Sequence, residues 1–115
     1  MDRINYAGDS ILTGTAIAHA LLAYAQALAE VGASATVEIP TVSEDGTIAR
    51  TEILVGPASQ VLSTSTPTDL PELVDASVVE RLEASAAQLR REQSVSSTAG
   101  TEDPQPNEEW TDYDL

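Results

Sequence analysis

The sequence contains no cysteine, no lysine and no phenylalanine, and each absence excludes a class of structure or function. Without cysteine, the chain has no disulfide framework, no thiol nucleophile and no thiolate ligand for a metal. Without phenylalanine, the core has to be built from Leu, Ile, Val and Ala. In a chain of 115 residues such a core is thin, and a small domain with a thin core favours an oligomer. We expect no metal and no cofactor.

Basic residues are scarce, because five arginines face 19 acidic residues and give a net charge of −14. A chain this acidic is repelled by nucleic acid and by anionic membranes, so we expect neither as a direct partner. A basic protein is the kind of partner that the charge favours. Arginine without lysine, in a chain rich in Ala and Val, is typical of a GC-rich bacterial genome.

Long apolar runs are also missing, since the most hydrophobic segment covers only residues 16–29 (AIAHALLAYAQALA). A transmembrane helix needs about 20 apolar residues, so this segment is too short to span a bilayer. No basic segment is followed by an apolar run, which argues against a secretory signal. We therefore predict a cytoplasmic protein.

The same segment predicts a helix that is hydrophobic nearly all round, and Gly32 is positioned to end it in a left-handed conformation. Only His19 and Gln26 are polar, and they lie on one narrow face. The sheet covers one side of such a helix, and a second subunit or the C-terminal helix covers another. We predict self-association through this helix, and His19 at that interface would make assembly pH-sensitive. The predicted interface residues are Ile17, Leu21, Tyr24, Leu28, Ala16 and Ala23.

The remaining patterns predict a small α+β domain over residues 1–93. A short strand over 3–7 precedes the long helix, and alternating segments at 35–42 and 47–55 form a hairpin around the Asp45-Gly46 turn. Residues 58–65 fit a third strand or a helical turn, and the strand is favoured. Pro40 places the first hairpin strand at an edge or at a bulge. A second helix follows over 77–93.

Helix starts are indicated by short polar side chains. Thr13 or Thr15 is positioned to cap the first helix through its hydroxyl oxygen. Ser77 and Glu80 have the spacing of a capping box at the start of the second helix. Each of these groups would satisfy a backbone N–H that has no partner within its helix.

Residues 94–115 hold six acidic residues and no basic one, together with Ser, Thr, Gly and Pro. We predict that this acidic tail is disordered. Its end contains Trp110, Tyr113 and Leu115, which are apolar anchors in an acidic setting. They predict a short motif that docks on a basic partner, with the acidic residues steering the approach. The alternative is a tail that only keeps the chain in solution.

The segment Gly8-Asp9-Ser10-Ile11 resembles the nucleophile block of the GDSL/SGNH-type hydrolases, in which the serine attacks an ester carbonyl. The resemblance implies Ser10 as a nucleophile, but it covers only this segment. Hydrolases of this family carry a catalytic His in an Asp-x-x-His context near the C-terminus, whereas the only histidine here is His19. A small-ligand site in the 8–15 loop, lined by Asp9, Ser10, Thr13 and Thr15, is a related alternative.

Together these patterns favour a non-enzymatic, self-associating protein-interaction module with a partner-binding tail. The runner-up is an acidic inhibitor or decoy, of the antitoxin or nucleic-acid-mimic type, that occupies a basic protein site. A small-ligand or hydrolase domain that uses the 8–15 loop is the third hypothesis. Steep weakening of binding by salt would favour the decoy.

Overall fold

A computed structural model describes residues 1–57 and 60–102, and describes side chains in 1–57 and 60–93. It confirms the α+β class, with five strands and two helices in the described part of the chain. The elements are β1 (Asp2–Tyr6), β2 (Asp9–Thr13), α1 (Thr15–Val31), β3 (Ala35–Val42), β4 (Ile48–Val55), β5 (Val61–Ser65) and α2 (Ala76–Glu102).

The strands form one antiparallel sheet in the order β4-β3-β2-β1-β5. The β1–β2 hairpin was not expected, because its connection and second strand lie in a segment rich in turn formers. Ala7 and Gly8 have φ angles of 53° and 85° and lie between the paired residues Tyr6 and Asp9. Two positive φ angles in a two-residue loop define the type I′ turn that matches the twist of a hairpin. The favoured strand assignment for 58–65 is confirmed at β5.

The β3–β4 hairpin was predicted correctly, and its register pairs Ala35 with Val55 and Val42 with Ile48. The edge position or bulge expected from Pro40 is wrong, because β3 lies between β4 and β2 and pairs with β4 residue by residue without a bulge. However, β3 pairs with β2 only at Val42 and Leu12. Pro40 therefore lies beyond the β2 ladder, where its missing N–H breaks no strand pairing, and its carbonyl accepts a hydrogen bond of 2.7 Å from the Thr13 hydroxyl.

The two faces of the sheet differ in burial. The inner face packs against the helices and carries every strand residue of the main core. The outer face is the opposite one, and most of its side chains are exposed. The fully buried strand residues of the core are Ile4 and Ile39, both 0% exposed, and Val55, 1% exposed. The buried residues of α2 that join the core cluster are Val78 and Leu82.

Helix α1 starts at Thr15 and ends at Val31, and the C-cap Gly32, with a φ of 68°, is the expected left-handed stop. The predicted threonine caps are wrong, because the N-cap residue is Gly14, which has no side chain to accept a hydrogen bond. The connector between β5 and α2 supplies the cap instead: Glu72 Oε2 accepts from the Thr15 N–H at 2.7 Å, and Glu72 Oε1 accepts from the Met1 ammonium at 2.9 Å. These contacts lower the pKa of Glu72, the ammonium contributing most.

Helix α2 is longer than predicted and starts one residue earlier. The expected Ser77–Glu80 capping box is wrong, because Asp75 Oδ1 accepts from the Val78 N–H at 3.2 Å and from the Ser77 hydroxyl at 2.9 Å. The helix continues to Glu102, so the first part of the predicted acidic tail is helical. Trp110, Tyr113 and Leu115 lie outside the described residues. None of the helices in the described part of the chain has the length and apolar character to cross a membrane.

Candidate interaction surface

The interface predicted on α1 is largely occupied by the chain's own core. Ile17, Leu21 and Leu28 are 0%, 1% and 3% exposed, and they pack against the sheet and α2. Tyr24 and Ala23 are half-buried, and Ala16 is exposed. The C-terminal helix therefore covers the side of α1 for which a second subunit was the other candidate. Self-association through α1 stays a prediction, and it has only these less buried positions to use.

Asp2 is the most buried charged residue of the described chain, at 5% exposure. Its Oδ1 accepts from the Thr15 hydroxyl at 2.7 Å, and its Oδ2 accepts from the Ser63 hydroxyl at 2.9 Å. The His19 Nε2 lies 3.9 Å from Oδ2. The Thr15 hydrogen bond, followed by the Ser63 bond and the His19 ring, holds the pKa of Asp2 below its ordinary value. We name these four residues the Asp2 cluster.

The Asp2 cluster has the residue types of a catalytic triad but the wrong connections. In a triad the hydroxyl donates to the imidazole, which becomes the base that activates it. Here both hydroxyls donate to the carboxylate, so neither is activated by His19. What the arrangement does is tie β1, β5 and the start of α1 together through one buried anion.

The hydrolase-like segment does not bring its serine to the histidine. Ser10 pairs with Asn5 on the outer face of the sheet and accepts a hydrogen bond of 3.4 Å from Arg3. His19 lies beside Asp2, whose register partner Thr13 faces the helices. Ser10 and His19 are thus on opposite faces of the sheet. Among the described residues, no group of three or more His, Asp or Glu side chains has the geometry to hold a metal ion.

The outer face carries a continuous row of paired residues across all five strands. Two of them, Leu12 and Val42, are 7% and 9% exposed and form the centre of the row. Ile48, at the end of the row on β4, is 62% exposed. The row is Ile48, Val42, Leu12, Arg3 and Thr64.

Strand β4 carries two large apolar side chains that remain exposed on this outer face. We name its four outward residues the β4 patch: Ile48, Arg50, Glu52 and Leu54. Ile48 and Leu54 are 62% and 60% exposed, although both are large and apolar. Among the described strands, β4 pairs with β3 alone and forms one edge of the sheet. Exposed apolar side chains on an edge strand are a surface for association or aggregation.

The charges of the β4 patch are not neutralised along the sheet. Glu52 stands directly opposite Glu38 on β3, and like charges at opposed positions destabilise a strand pair. Arg50 stands opposite Pro40, and its Nη1 lies 3.6 Å from Asp75 Oδ2. The Arg50 side chain remains 52% exposed. The patch therefore offers one cation and one uncompensated anion to solvent.

A cleft of about 280 Å³ lies between the β1–β2 hairpin and the second half of β4. Its walls are mainly apolar, and Ile4, Ile11 and Ile53 from the inner face line it. Ligand pockets usually have volumes of about 300–1,000 Å³, so this cleft is at the lower limit. It also borders Glu52 and Leu54 of the β4 patch.

The sequence indicates part of the β4 patch, although the predicted interface lay on α1. The alternation of 47–55 correctly placed Ile48, Arg50, Glu52 and Leu54 on one face. Nothing in the alternation alone says that this strand is an edge, since that depends on which strands pair beyond the hairpin. The Asp2 cluster was missed because β1, β5 and α1 are distant in sequence. No protein-family model, curated protein or solved structure matches this chain.

Proposed function

We propose that this chain is a non-enzymatic protein-interaction module that binds protein through the β4 patch. The observation that carries the proposal is the exposure of Ile48 and Leu54 on an edge strand, at 62% and 60%. Burying the exposed part of these two side chains against a partner would stabilise a complex by about 1–2 kcal/mol each. The free N–H and C=O groups of an edge strand add hydrogen bonds to a strand of the partner.

The polar clusters support binding rather than catalysis. The Asp2 cluster uses both carboxylate oxygens to hold strands and helix together, and Ser10 faces away from His19. The acidic-decoy hypothesis calls for a row of spaced carboxylates on the folded surface. The cross-strand pairing of the described sheet sets one carboxylate pair side by side, Glu38 and Glu52. The decoy remains an alternative that binding experiments decide.

Site-specific photo-crosslinking tests the proposed function. A photoreactive phenylalanine analogue replaces Leu54 in one variant and Leu62 in the control, and both are irradiated in cells that express the chain. Leu62 is 62% exposed on β5, at the other edge of the sheet. We expect a protein adduct of defined mass at position 54 and none at position 62. Equal yields at the two positions, or no adduct at 54, would overturn the proposal.

A further inference from the structure

The order of side chains along β4 is symmetric about Thr51. Moving outward from Thr51 on the outer face, the chain presents Arg50 and Glu52, and then Ile48 and Leu54. Charges of opposite sign thus lie at equal distances on either side of one residue, and so do two large apolar side chains. A strand with this order is complementary to a reversed copy of itself.

We infer that the partner of the β4 patch is a second copy of this chain, paired antiparallel through β4 about a two-fold axis at Thr51. The inference rests on the proposed function and names its partner. In this register Arg50 of each copy faces Glu52 of the other, and Ile48 of each faces Leu54 of the other. A two-fold axis makes every contact occur twice, as an isologous interface requires. The two five-stranded sheets become one continuous sheet.

The pleat excludes most other registers. Residues opposite each other in an antiparallel pair point to the same face, so a shift by one residue would set outward side chains against inward ones. A shift of the symmetry centre by one residue in either direction sets Arg50 against Arg50 or Glu52 against Glu52. Only the register centred on Thr51 pairs opposite charges along this edge.

Three features of the surrounding structure favour the pairing. Glu52 would lie between Glu38 of its own chain and Arg50 of the second copy, so the like-charge pair in β3–β4 gains a compensating cation. On the inner face, the small and exposed Ala49 of one copy would lie against Ile53 of the other, beside the cleft of about 280 Å³. The chain's other edge strand, β5, has the sequence VLSTS without any charge, and therefore has no comparable register.

The decisive experiment uses two single variants, Arg50→Glu and Glu52→Arg, in the full-length chain. Each variant sets like charges against each other twice in its own dimer. The dissociation constant should rise about 10- to 30-fold, since two attractive pairs become two repulsive ones. Mixed in equal amounts, the variants restore both pairs, because Glu at 50 meets Arg at 52 and Glu52 meets Arg50. Sedimentation velocity should show monomers separately and a heterodimer in the mixture.

The mixture also separates association from folding. Arg50→Glu removes the ion pair with Asp75, and a folding defect from that loss would not be repaired by adding another variant. The Asp75→Asn chain is the control for that ion pair, and its dimer should have the wild-type affinity. Wild-type chain that sediments as a monomer at the highest attainable concentration would overturn the inference. So would a mixture that stays monomeric. An adduct between position 54 and a different protein would then still support the proposed function.

Discussion

At the scale of single residues, Asp2 shows how one buried carboxylate can hold three elements. Its two oxygens accept from Thr15 on α1 and Ser63 on β5, and its backbone belongs to β1. A buried anion is tolerated only when its hydrogen-bonding capacity is satisfied. The side chain therefore fixes where the first helix starts relative to the sheet, and with it the course of the chain into the core.

We expect Asp2→Asn to destabilise the fold at neutral pH by about 2 kcal/mol, because hydrogen bonds to a charged acceptor are lost or weakened. The pKa of Asp2 is lower in the folded chain than its ordinary value of 3.8. Its stabilisation is therefore complete above that value and is lost as the pH falls through the folded pKa. Urea unfolding at pH 7 and pH 3 measures both effects.

The wild type and Asp2→Asn should thus differ more at pH 7 than at pH 3. Asp9→Asn is the matched control, since Asp9 is an exposed carboxylate on the neighbouring strand and should change stability little at either pH. A deficit of the Asp2→Asn variant that has the same size at both pH values would show that its cost comes from the lost acceptor oxygen and is unrelated to the charge.

At the scale of elements, the connector between β5 and α2 is a structural part of the start of α1. Leu73 approaches Gly14 so closely that a Cβ on Gly14 would overlap the Leu73 carbonyl oxygen. Glu72 caps the same helix start through the Thr15 N–H. Gly14 has a φ of −67°, which any residue adopts. Its requirement for glycine therefore comes from this contact and not from the backbone conformation.

We expect Gly14→Ala to destabilise the chain by more than about 2 kcal/mol, because the methyl group must displace the backbone of the connector. Gly32→Ala is the comparison at the other end of α1. A Cβ on Gly32 would meet no atom within 4 Å beyond its two chain neighbours, but Gly32 has a φ of 68°, so the cost of Gly32→Ala should be about 1 kcal/mol of left-handed strain. Chemical denaturation measures both. Equal losses of unfolding free energy in the two variants would mean that the connector moves away from Gly14 at no measurable cost.

The elements also show what local patterns can predict and what they cannot. The period of α1, the Asp45-Gly46 turn and the alternation of β4 are local properties, and the structure confirms the elements that they predict. The segment that begins β2 has the composition of a loop, because Asp9 and Ser10 are turn formers, and only pairing with β1 makes them a strand. Glu72 as a helix cap lies far from Thr15 in sequence, so no local motif could indicate it.

At the scale of the whole molecule, the hydrophobicity of α1 has two explanations that a sequence cannot distinguish. An all-round apolar helix is covered either within its chain or by another subunit. In the structure, the inner face of the sheet and α2 cover Ile17, Leu21 and Leu28. We therefore expect association at the β4 patch rather than at α1, because the patch keeps apolar side chains exposed after the chain has folded.

The charge of the whole molecule predicts how salt affects this association. Each chain carries −14, so a homodimer brings two strongly acidic bodies together. Raising the salt concentration from about 0.01 M to 0.15 M shortens the screening length from about 30 Å to about 8 Å. Repulsion between the chains falls, whereas the exposed Arg50–Glu52 pairs contribute little that salt can remove. We expect the wild-type dimer to become several-fold tighter with salt, as sedimentation equilibrium would measure.

An acidic decoy on a basic protein behaves in the opposite way, because screening weakens attraction between unlike charges. A self-association that weakens steeply as salt rises would contradict a homodimer held by edge pairing and apolar contacts.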